Sequence, residues 1–246
     1  MRHIADQDKK SNRAGFISRF IVQEKQVAFM ARVSAIAAAQ AGTERVEAER
    51  GEPTLQAVKS AKTRARLIEA TIRCLVKHGY SKTTTPKVAL EAGLSRGAML
   101  HHFDSGRQLM QATLVELNKK RLRAFRRAAE TKDHNVRTLV RAYWAQLLRP
   151  TFIAFHELAT AARTDKELAE TLEPVRLEFR ERWHELAIEL FPEWRQDIRR
   201  FDLSLALCQN LLEGMALNRL TNGVEERDIE AVLVHLEQQI LDLRPT

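Results

Sequence analysis

Glycine and proline are scarce in this chain, and that scarcity restricts the folds open to it. Only 9 glycines and 6 prolines occur in 246 residues, whereas a many-stranded sandwich or barrel needs both at its corners. After Pro53, apolar residues recur at the three- and four-residue spacing of helices. Strand-like alternation is missing there, and the triplet Thr83–Thr85 is too short and precedes Pro86. The sequence therefore predicts an all-α protein.

Local start and stop signals divide this part of the chain into nine helices. Gly79 and the pair Asn222–Gly223 follow apolar-periodic segments and supply left-handed residues that close a helix. Thr164 forms a capping box with Glu167, which predicts a helix start, and Pro174 should kink or split the helix that follows. The predicted helices cover residues 55–78, 85–92, 95–102, 105–130, 134–148, 150–162, 165–190, 196–221 and 225–243.

The beginning of the chain carries no targeting signal that we recognise. An apolar patch near Phe16 is interrupted by Ser18 and Arg19, which is too broken for a signal-peptide core. No apolar run approaches the roughly 18 residues that a membrane span needs. We therefore expect a soluble, cytoplasmic protein with no membrane partner.

Side chains that could carry chemistry do not fall at useful spacings. Cys74 and Cys208 are far apart and each lies in an apolar helical pattern, which indicates two reduced thiols packed in cores. His101, His102 and Asp104 raise the question of a metal site, but adjacent helical residues point about 100° apart and rarely share an ion. We also find no nucleophile–base pair or glycine-rich phosphate loop. The sequence predicts no catalytic residues, no metal and no cofactor.

Basic residues concentrate in one segment. The formal net charge is +8, and between residues 60 and 103 eight bases oppose two acids. Such a concentration is the electrostatic footprint of a nucleic-acid-binding module. In the same segment, Gly93 permits a sharp turn and Ala89 permits close helix approach, and Ser95 can cap the next helix. This predicts a helix-turn-helix. A second basic run, Lys119–Arg127, fits either a solvated helix face or contact with the DNA flanks.

Short motifs in this segment resemble the N-terminal domain of the TetR family of transcriptional regulators. In chain order they are Gly79-Tyr80, Thr83-Thr84-Thr85, Val88-Ala89, Ala92-Gly93-Leu94-Ser95-Arg96-Gly97-Ala98-Met99 and His101-His102-Phe103. The resemblance implies a three-helix DNA-binding domain, a connecting fourth helix, and a larger helical domain for ligand binding and dimerisation. It further implies a homodimer whose recognition helices, here 95–102, enter successive major grooves of a near-palindromic double-stranded DNA operator.

Two positions depart from the family pattern. Leu100 stands where the family has a phosphate-contacting tyrosine, and Gly106 stands where it has a lysine. We expect Arg107 to replace that lysine and Leu100 to contact a thymine methyl group. The residues predicted to contact DNA are Thr84, Thr85, Lys87, Ser95, Arg96, Gly97, Leu100, His101 and Arg107. For Thr84, Lys87 and Arg96, the alternative is a plain helix cap or a solvated surface residue.

Aromatic residues spread over three C-terminal helices are candidates for an effector pocket. Such pockets are mostly apolar with a few polar groups, and an ordinary core is the alternative. The stretch around Glu157, residues 152–168, also resembles effector domains of the TetR family. The candidate pocket residues are Trp144, Phe152, Phe155, His156, Phe179 and Trp183.

The last two helices carry more apolar residues than one packed face needs. A second apolar side on the first of them consists of Leu203, Leu207, Leu211 and Leu217. This excess is expected when a helix pair packs against its copy as a four-helix bundle. On both helices, the predicted dimer interface is a stripe of apolar residues spaced four or three positions apart, called the four-three stripe. Its members are Phe201, Leu205, Cys208, Leu212, Met215, Ile229, Val232, Leu236 and Ile240.

These patterns predict three parts. Residues 1–58 form a partly helical or disordered extension, 59–104 a helix-turn-helix DNA-binding domain, and 105–246 a helical effector-binding and dimerisation domain. We expect a dimeric, sequence-specific transcriptional repressor that a small-molecule effector releases from DNA, and not an enzyme. One alternative is an architectural protein that binds DNA without sequence preference. The other is a helical carrier or enzyme with a vestigial helix-turn-helix.

Overall fold

The computed structural model of this protein describes residues 54–130 and 135–245. The chain divides into two units, 1–58 and 59–246, and the description below concerns the second unit. The predicted extension lies outside the described residues except for its last five positions, 54–58. No helix in the described part of the chain is long and apolar enough to cross a lipid bilayer.

Nine α-helices and no strand form in the described segments, which confirms the all-α prediction. Their order along the chain follows the sequence analysis closely. The helices are α1 (Leu55–His78), α2 (Thr85–Glu91), α3 (Arg96–His102), α4 (Gly106–Ala129), α5 (Val136–Leu147), α6 (Pro150–Ala161), α7 (Lys166–Leu190), α8 (Ile198–Arg219) and α9 (Glu226–Leu243), with a 3-10 helix at Pro192–Gln196.

Helix ends follow the local chemistry of the sequence. Gly79 closes α1 with φ of 73° and Asn222 follows α8 with φ of 57°, both in the left-handed region. The predicted capping box at Thr164 is wrong by one residue, because the Asp165 carboxylate caps α7 by accepting from the Leu168 N–H at 2.9 Å. Aspartate is the better N-cap of these two neighbours.

Pro174 does not divide α7. The helix continues from Lys166 to Leu190 with the proline inside it, so of the two predicted outcomes, a kink or a split, the split is wrong. A proline removes one intrahelical hydrogen bond, here the one to the Glu170 carbonyl. Both residues are exposed, so this carbonyl can turn toward water.

Three clusters of buried side chains hold the helices together. The first joins α1, α2, α3 and the start of α4, the second joins α1, α4, α6 and α7, and the third joins α4, α5, α6, α7, α8 and α9. The first cluster contains Leu67, Ala70, Cys74, Val88, Ala89, Ala92, Met99, Phe103 and Leu109. Because α1 contributes to the first two clusters, the helix-turn-helix shares a core with α6 and α7.

Most of the predicted dimer stripe lies inside the protomer. Its nine members are buried in the third cluster or packed against it, namely Phe201, Leu205, Cys208, Leu212, Met215, Ile229, Val232, Leu236 and Ile240. An amphipathic helix uses its main apolar stripe for its own core, and here α8 and α9 use it to pack on α5. The six buried members are therefore not available to a second copy, whereas Leu205, Cys208 and Val232 are only partly buried. The second apolar side of α8 is the one left exposed.

Candidate nucleic-acid interface

Helices α2 and α3 are joined by a sharp turn. Gly93 adopts a left-handed φ of 62°, and the Leu94 N–H donates to the Ala89 carbonyl at 2.8 Å. The Ser95 hydroxyl then caps α3 by accepting from the Ala98 N–H at 3.1 Å. The turn and the cap stand where the sequence predicts them, and together they produce the geometry of a helix-turn-helix.

Helix α3 buries one side and exposes the other. Met99 and Phe103 are fully buried against α1 and α2, and Leu100 keeps 41% of its surface exposed. Arg96, Gly97 and His101 are also exposed. The accessible side of α3 therefore carries the residues that the sequence predicts to contact bases.

Gly97 is not required by the packing of the protein. A Cβ atom at this position would meet only the Ser95 hydroxyl oxygen, at 3.9 Å, and the backbone is not left-handed. Glycine in a helix costs about 0.5–1 kcal/mol relative to alanine. No packing contact among the described residues therefore requires glycine at this position.

Gly106, by contrast, has a packing reason. A Cβ atom there would lie 3.2 Å from the Thr85 methyl group. The start of α4 therefore approaches the start of α2 closely, and a side chain at position 106 would require the Thr85 methyl group to shift. Thr85 is half-buried, whereas the neighbouring Thr84 is exposed and its side chain makes no capping hydrogen bond.

Three of the eight basic residues in this region contact other groups of the fold. The Arg64 guanidinium donates to the His102 carbonyl and lies 4.1 Å from the centre of the Phe103 ring. Arg73 Nε is 2.6 Å from Glu91 Oε1, and this hydrogen bond lowers the pKa of the Glu91 carboxyl. These contacts fix α2 and α3 on α1. Lys77 Nζ also lies 3.8 Å from Glu91 Oε2.

The other five bases form no salt bridge with the described residues. Arg96 and Lys82 are exposed, and Lys87 is half-exposed. Lys82 was not predicted as a DNA contact, although its position two residues before Thr84 is visible in the sequence. The complete set is Lys62, Arg66, Lys82, Lys87 and Arg96. Unpaired bases at a helix-turn-helix are available to neutralise phosphates.

Arg107 has an acidic partner that the sequence did not predict. Its guanidinium pairs with the carboxylate of Glu167 in the first turn of α7. Both side chains remain more than half exposed, so the pair is solvated and weak. Arg107, which we expect to replace the family's lysine, is therefore paired with a carboxylate of the C-terminal helices.

The basic run Lys119–Arg127 on α4 is largely neutralised within the protein. Lys120 pairs with Glu69, and Arg123 Nη2 lies 2.8 Å from Glu116 Oε1. Arg121 and Arg126 also have acidic partners, Glu213 and Glu189. This pattern favours the solvated helix face over contact with DNA flanks.

Potential metal ligands do not cluster. The rings of His101 and His102 are 5.4 Å apart in a T-shaped arrangement. Cys74 is buried in the first cluster and Cys208 packs against the third, and both are free thiols. Across residues 54–130 and 135–245, no group of three or more His, Cys, Asp or Glu side chains is placed to hold a metal ion.

Tyr80 connects the helix-turn-helix to the C-terminal helices. Its backbone N–H donates to Glu157 Oε2 on α6 at 2.9 Å, and its hydroxyl donates to Asp165 Oδ2 at 3.2 Å. Burial and the nearby Asp165 carboxylate raise the pKa of Tyr80. Asp165 also caps α7, so the turn before α2 is bonded to α6 and to the start of α7.

A cavity of about 80 Å³ lies among the C-terminal helices. Of the six predicted pocket residues only Trp183 lines it. Phe155 and Phe179 instead flank the Arg121 guanidinium at 4.7 and 4.6 Å, and the remaining three, Trp144, Phe152 and His156, do not line the cavity. The walls include Tyr143, Trp183, Trp194, Phe201 and Cys208.

A small polar network lies beside the cavity. Glu213 Oε1 accepts from the Tyr143 hydroxyl at 2.7 Å and from Arg121 Nη2 at 2.9 Å. His156 Nε2 is 4.0 Å from Glu213 Oε2, and burial lowers the pKa of His156. Burial also raises the pKa of Tyr143 well above its usual value and the pKa of Cys208 to about 12. Beside the cavity, the Arg121–Glu213 ion pair therefore lies among neutral groups.

Comparison with known proteins places this architecture in a family. The family model described as bacterial regulatory proteins, tetR family, matches residues 67–113, from the middle of α1 into α4. The uncharacterized HTH-type transcriptional regulator Rv2912c of Mycobacterium tuberculosis strain H37Rv is 30% identical over 174 residues, covering 67% of this chain and 86% of Rv2912c. The HTH-type transcriptional repressor AcnR of Corynebacterium diphtheriae is 25% identical over 207 residues, covering 79% of this chain and all of AcnR (100%).

A solved structure supports the fold over both parts of the described chain. The crystal structure of the multidrug binding protein EbrR complexed with imidazole gives a TM-score of 0.55 at 22% identity. The superposition covers 74% of this chain and 95% of EbrR. With its helix-turn-helix, its helical C-terminal part and its relatives, the chain belongs to the TetR family of bacterial helix-turn-helix transcriptional regulators.

Proposed function

We propose that this chain is a sequence-specific DNA-binding repressor that acts as a homodimer on a near-palindromic operator and is released by a small molecule. The exposed side of α3 carries the proposal. There, Gly97 leaves the backbone bare without a packing reason, and Arg96 has no acidic partner among the described residues. A bare, basic helix surface fits the major groove of DNA.

The proposed contacts divide by chemistry. Arg96 reaches a guanine edge and Leu100, with 41% of its surface exposed, contacts a thymine methyl group. The hydroxyl of Thr84 and the ammonium group of Lys87 are placed at the start of α2, where they anchor phosphates. The remaining contacts come from Thr85, Lys82, Ser95, Gly97, His101 and Arg107.

The proposed dimer forms through the second apolar side of α8. Leu203, Leu207, Leu211 and Leu217 keep 48%, 38%, 40% and 37% of their surfaces exposed, and helical spacing places them on one face. Gly214 lies within this face, and a Cβ atom there would meet no atom within 4 Å, so a second helix can approach closely. Burying this face against its copy completes a four-helix bundle with α9.

The proposed release uses the cavity and the Tyr80 connection. A ligand in the cavity favours one arrangement of the C-terminal helices, and Tyr80 transmits that arrangement through its bonds to Glu157 and Asp165. The structural relative EbrR, crystallised with imidazole, supports a ligand site in this fold. Release then follows as a shift between two spacings of the recognition helices, of which only one fits the operator.

The test begins with an operator selected by the full-length protein from a random-sequence DNA library. Affinity for this operator and for random DNA is then measured by fluorescence anisotropy at two salt concentrations. Arg96→Ala should lower specific affinity about 5- to 150-fold and relax the preference at one base pair. The matched control is Arg176→Ala, at an exposed arginine on α7. It should change neither the specific affinity nor the base preference.

Two results would overturn the proposal. Unchanged operator affinity and base preference in Arg96→Ala would show that α3 is not the recognition helix. Equal affinity for the operator and for random DNA, with both affinities falling in the same way as the salt concentration rises, would favour the architectural protein instead.

A further inference from the structure

His156 is buried beside a carboxylate to which it makes no hydrogen bond. Its side chain is 19% exposed, and its Nε2 atom is buried without a hydrogen-bond partner among the described residues. Glu213 Oε2 lies 4.0 Å from this nitrogen, which is too far for a hydrogen bond. The rings of Phe152 and Phe155 pack against the imidazole in T-shaped arrangements, with ring centres 4.3 and 5.3 Å away. A titratable ring is therefore held in a largely apolar setting, next to a carboxylate oxygen.

The carboxylate of Glu213 already has a cation. Its Oε1 atom accepts from Arg121 Nη2 at 2.9 Å and from the Tyr143 hydroxyl at 2.7 Å. Two charged groups act on the His156 imidazole, namely the Glu213 carboxylate of α8 and the Arg121 guanidinium of α4. The other titratable groups of the network, Tyr143 of α5 and Cys208 of α8, stay neutral because burial raises the pKa of each. With a neutral imidazole, the network therefore holds one positive and one negative charge.

Acid changes this balance of charge. A proton added to the imidazole leaves hydrogen on both ring nitrogens and gives the ring a positive charge. Helix α7 packs on the network with the uncharged rings of Phe179 and Trp183. The imidazolium and the Arg121 guanidinium then share the one carboxylate that acts on His156. Burial disfavours the imidazolium more strongly than Glu213 favours it, so the pKa of His156 is lowered from its ordinary value of 6.5.

The lowered pKa sets the direction of the pH effect. The arrangement in the structure favours the neutral imidazole, so it is fully stable above about pH 6.5 and loses stability as the pH falls through the lowered pKa. Two movements relieve the buried cation, because the ring can approach Glu213 Oε2 to hydrogen-bonding distance or turn outward to water. Either movement disturbs the packing of α6, to which Phe152 and Phe155 also belong.

The next residue along α6 holds the helix-turn-helix. Glu157 Oε2 accepts from the Tyr80 backbone N–H at 2.9 Å, so a change in the position of α6 changes this bond. We propose that His156 is an acid sensor, whose protonation disturbs α6 and weakens operator binding through the bond between Glu157 and Tyr80. The effect on the operator rests on the proposed function, whereas the response of Tyr80 is measured without DNA.

Selective labelling gives a direct signal from Tyr80. The chain contains two tyrosines, Tyr80 and Tyr143, and of these Tyr80 alone follows a glycine. Labelling tyrosine nitrogen and glycine carbonyl carbon with NMR-active isotopes therefore identifies the Tyr80 amide in the full-length protein. This signal and the histidine ring signals are followed from about pH 8 to about pH 5. We expect the Tyr80 amide to shift with the same midpoint as the His156 ring, below pH 6.5.

His156→Gln keeps a polar side chain but cannot take up a proton. In this variant the Tyr80 signal should stay in place over the same pH range. Operator affinity of the unmodified protein should fall about 3- to 10-fold more than that of His156→Gln between about pH 7.5 and about pH 5.5. His101 is present in both proteins, so its effect cancels in this comparison. The matched control is His184→Gln, at a histidine of α7 that pairs with Asp202, and it should respond to acid as the unmodified protein does.

Two contrary results would each overturn the inference. A Tyr80 signal that does not follow the His156 titration would show that protonation is not transmitted to the helix-turn-helix, and this measurement needs only the unmodified protein. An equal loss of operator affinity in the unmodified protein and in His156→Gln would assign the pH dependence to other groups. The Tyr80 measurement does not depend on operator binding, so a failure of the proposed function would be seen separately in the Arg96→Ala experiment.

Discussion

The backbone N–H of Tyr80 donates to Glu157 Oε2 at 2.9 Å, and this bond joins the turn before α2 to helix α6. The residue before Glu157 is His156, whose Nε2 lies 4.0 Å from Glu213 in the C-terminal interior. Two adjacent residues of α6 therefore contact the helix-turn-helix and the polar network beside the cavity. A displacement of α6 would therefore change both contacts.

Loss of the Tyr80–Glu157 bond should weaken operator binding without changing which bases are preferred. Glu157→Ala removes the acceptor and loosens the orientation of the helix-turn-helix, so operator affinity should fall about 2- to 10-fold, the size of one hydrogen bond. Glu157→Gln keeps an acceptor oxygen and should bind nearly as tightly as the unmodified protein. Anisotropy with the selected operator gives the affinity. A changed base preference in Glu157→Ala, or an equal loss in both variants, would contradict this role.

Gly97→Ala should stabilise the protein and impair its DNA binding. A Cβ atom fits at this position without contact closer than 3.9 Å, so alanine should raise the free energy of unfolding by about 0.5 kcal/mol. The added methyl group would project from the exposed side of α3 and should lower specific affinity. Urea unfolding and operator titration measure the two effects. Gain of stability with undiminished specific affinity would show that this side of α3 does not approach DNA closely.

The architecture was predictable from the sequence because its signals are local. Gly79 and Gly93 adopt the left-handed φ values that their positions require, and Ser95 caps α3 as its place in the sequence predicts. Such features depend on residues within one or two turns of each other. Helix order and the position of the helix-turn-helix follow from them.

The interfaces were not predictable in the same way. The four-three stripe of α8, including Leu212, marks an apolar face but not whether that face meets the same chain or a second copy. Likewise, the aromatic residues of three helices predicted Phe155 as a pocket residue, and the structure shows its ring 4.7 Å from the Arg121 guanidinium and outside the cavity wall. These assignments depend on which helices meet in three dimensions, and that information is not contained in the periodicity of a single helix.

Leu207→Glu should dissociate the proposed dimer. Leu207 is 38% exposed in the middle of the second apolar side of α8, and a twofold interface would bury the new carboxylate from both copies. Unpaired buried charges should weaken the dimer about 100-fold or more. Leu148→Glu, at a leucine 44% exposed at the end of α5, is the matched control. Analytical ultracentrifugation measures the outcome, and a Leu207→Glu dimer as stable as the control would rule out this face.

Glu167→Gln should strengthen DNA binding by releasing Arg107. The two side chains form a solvated ion pair between α4 and α7, which is worth at most about 1 kcal/mol. Once the carboxylate is removed, the guanidinium is free to contact a phosphate. Operator affinity should therefore rise about 2- to 5-fold, and the plot of log affinity against log salt should steepen by about 0.9.

Two further variants separate this contact from a general charge effect. Glu170→Gln removes another exposed acid of α7, one that pairs with Lys166 instead, and should leave the slope unchanged. In an Arg107→Gln background, Glu167→Gln should give no gain, because the guanidinium that it releases is gone. An equal gain from Glu170→Gln, or a gain that persists without Arg107, would show that Arg107 does not take the place of the family's lysine at the phosphate backbone.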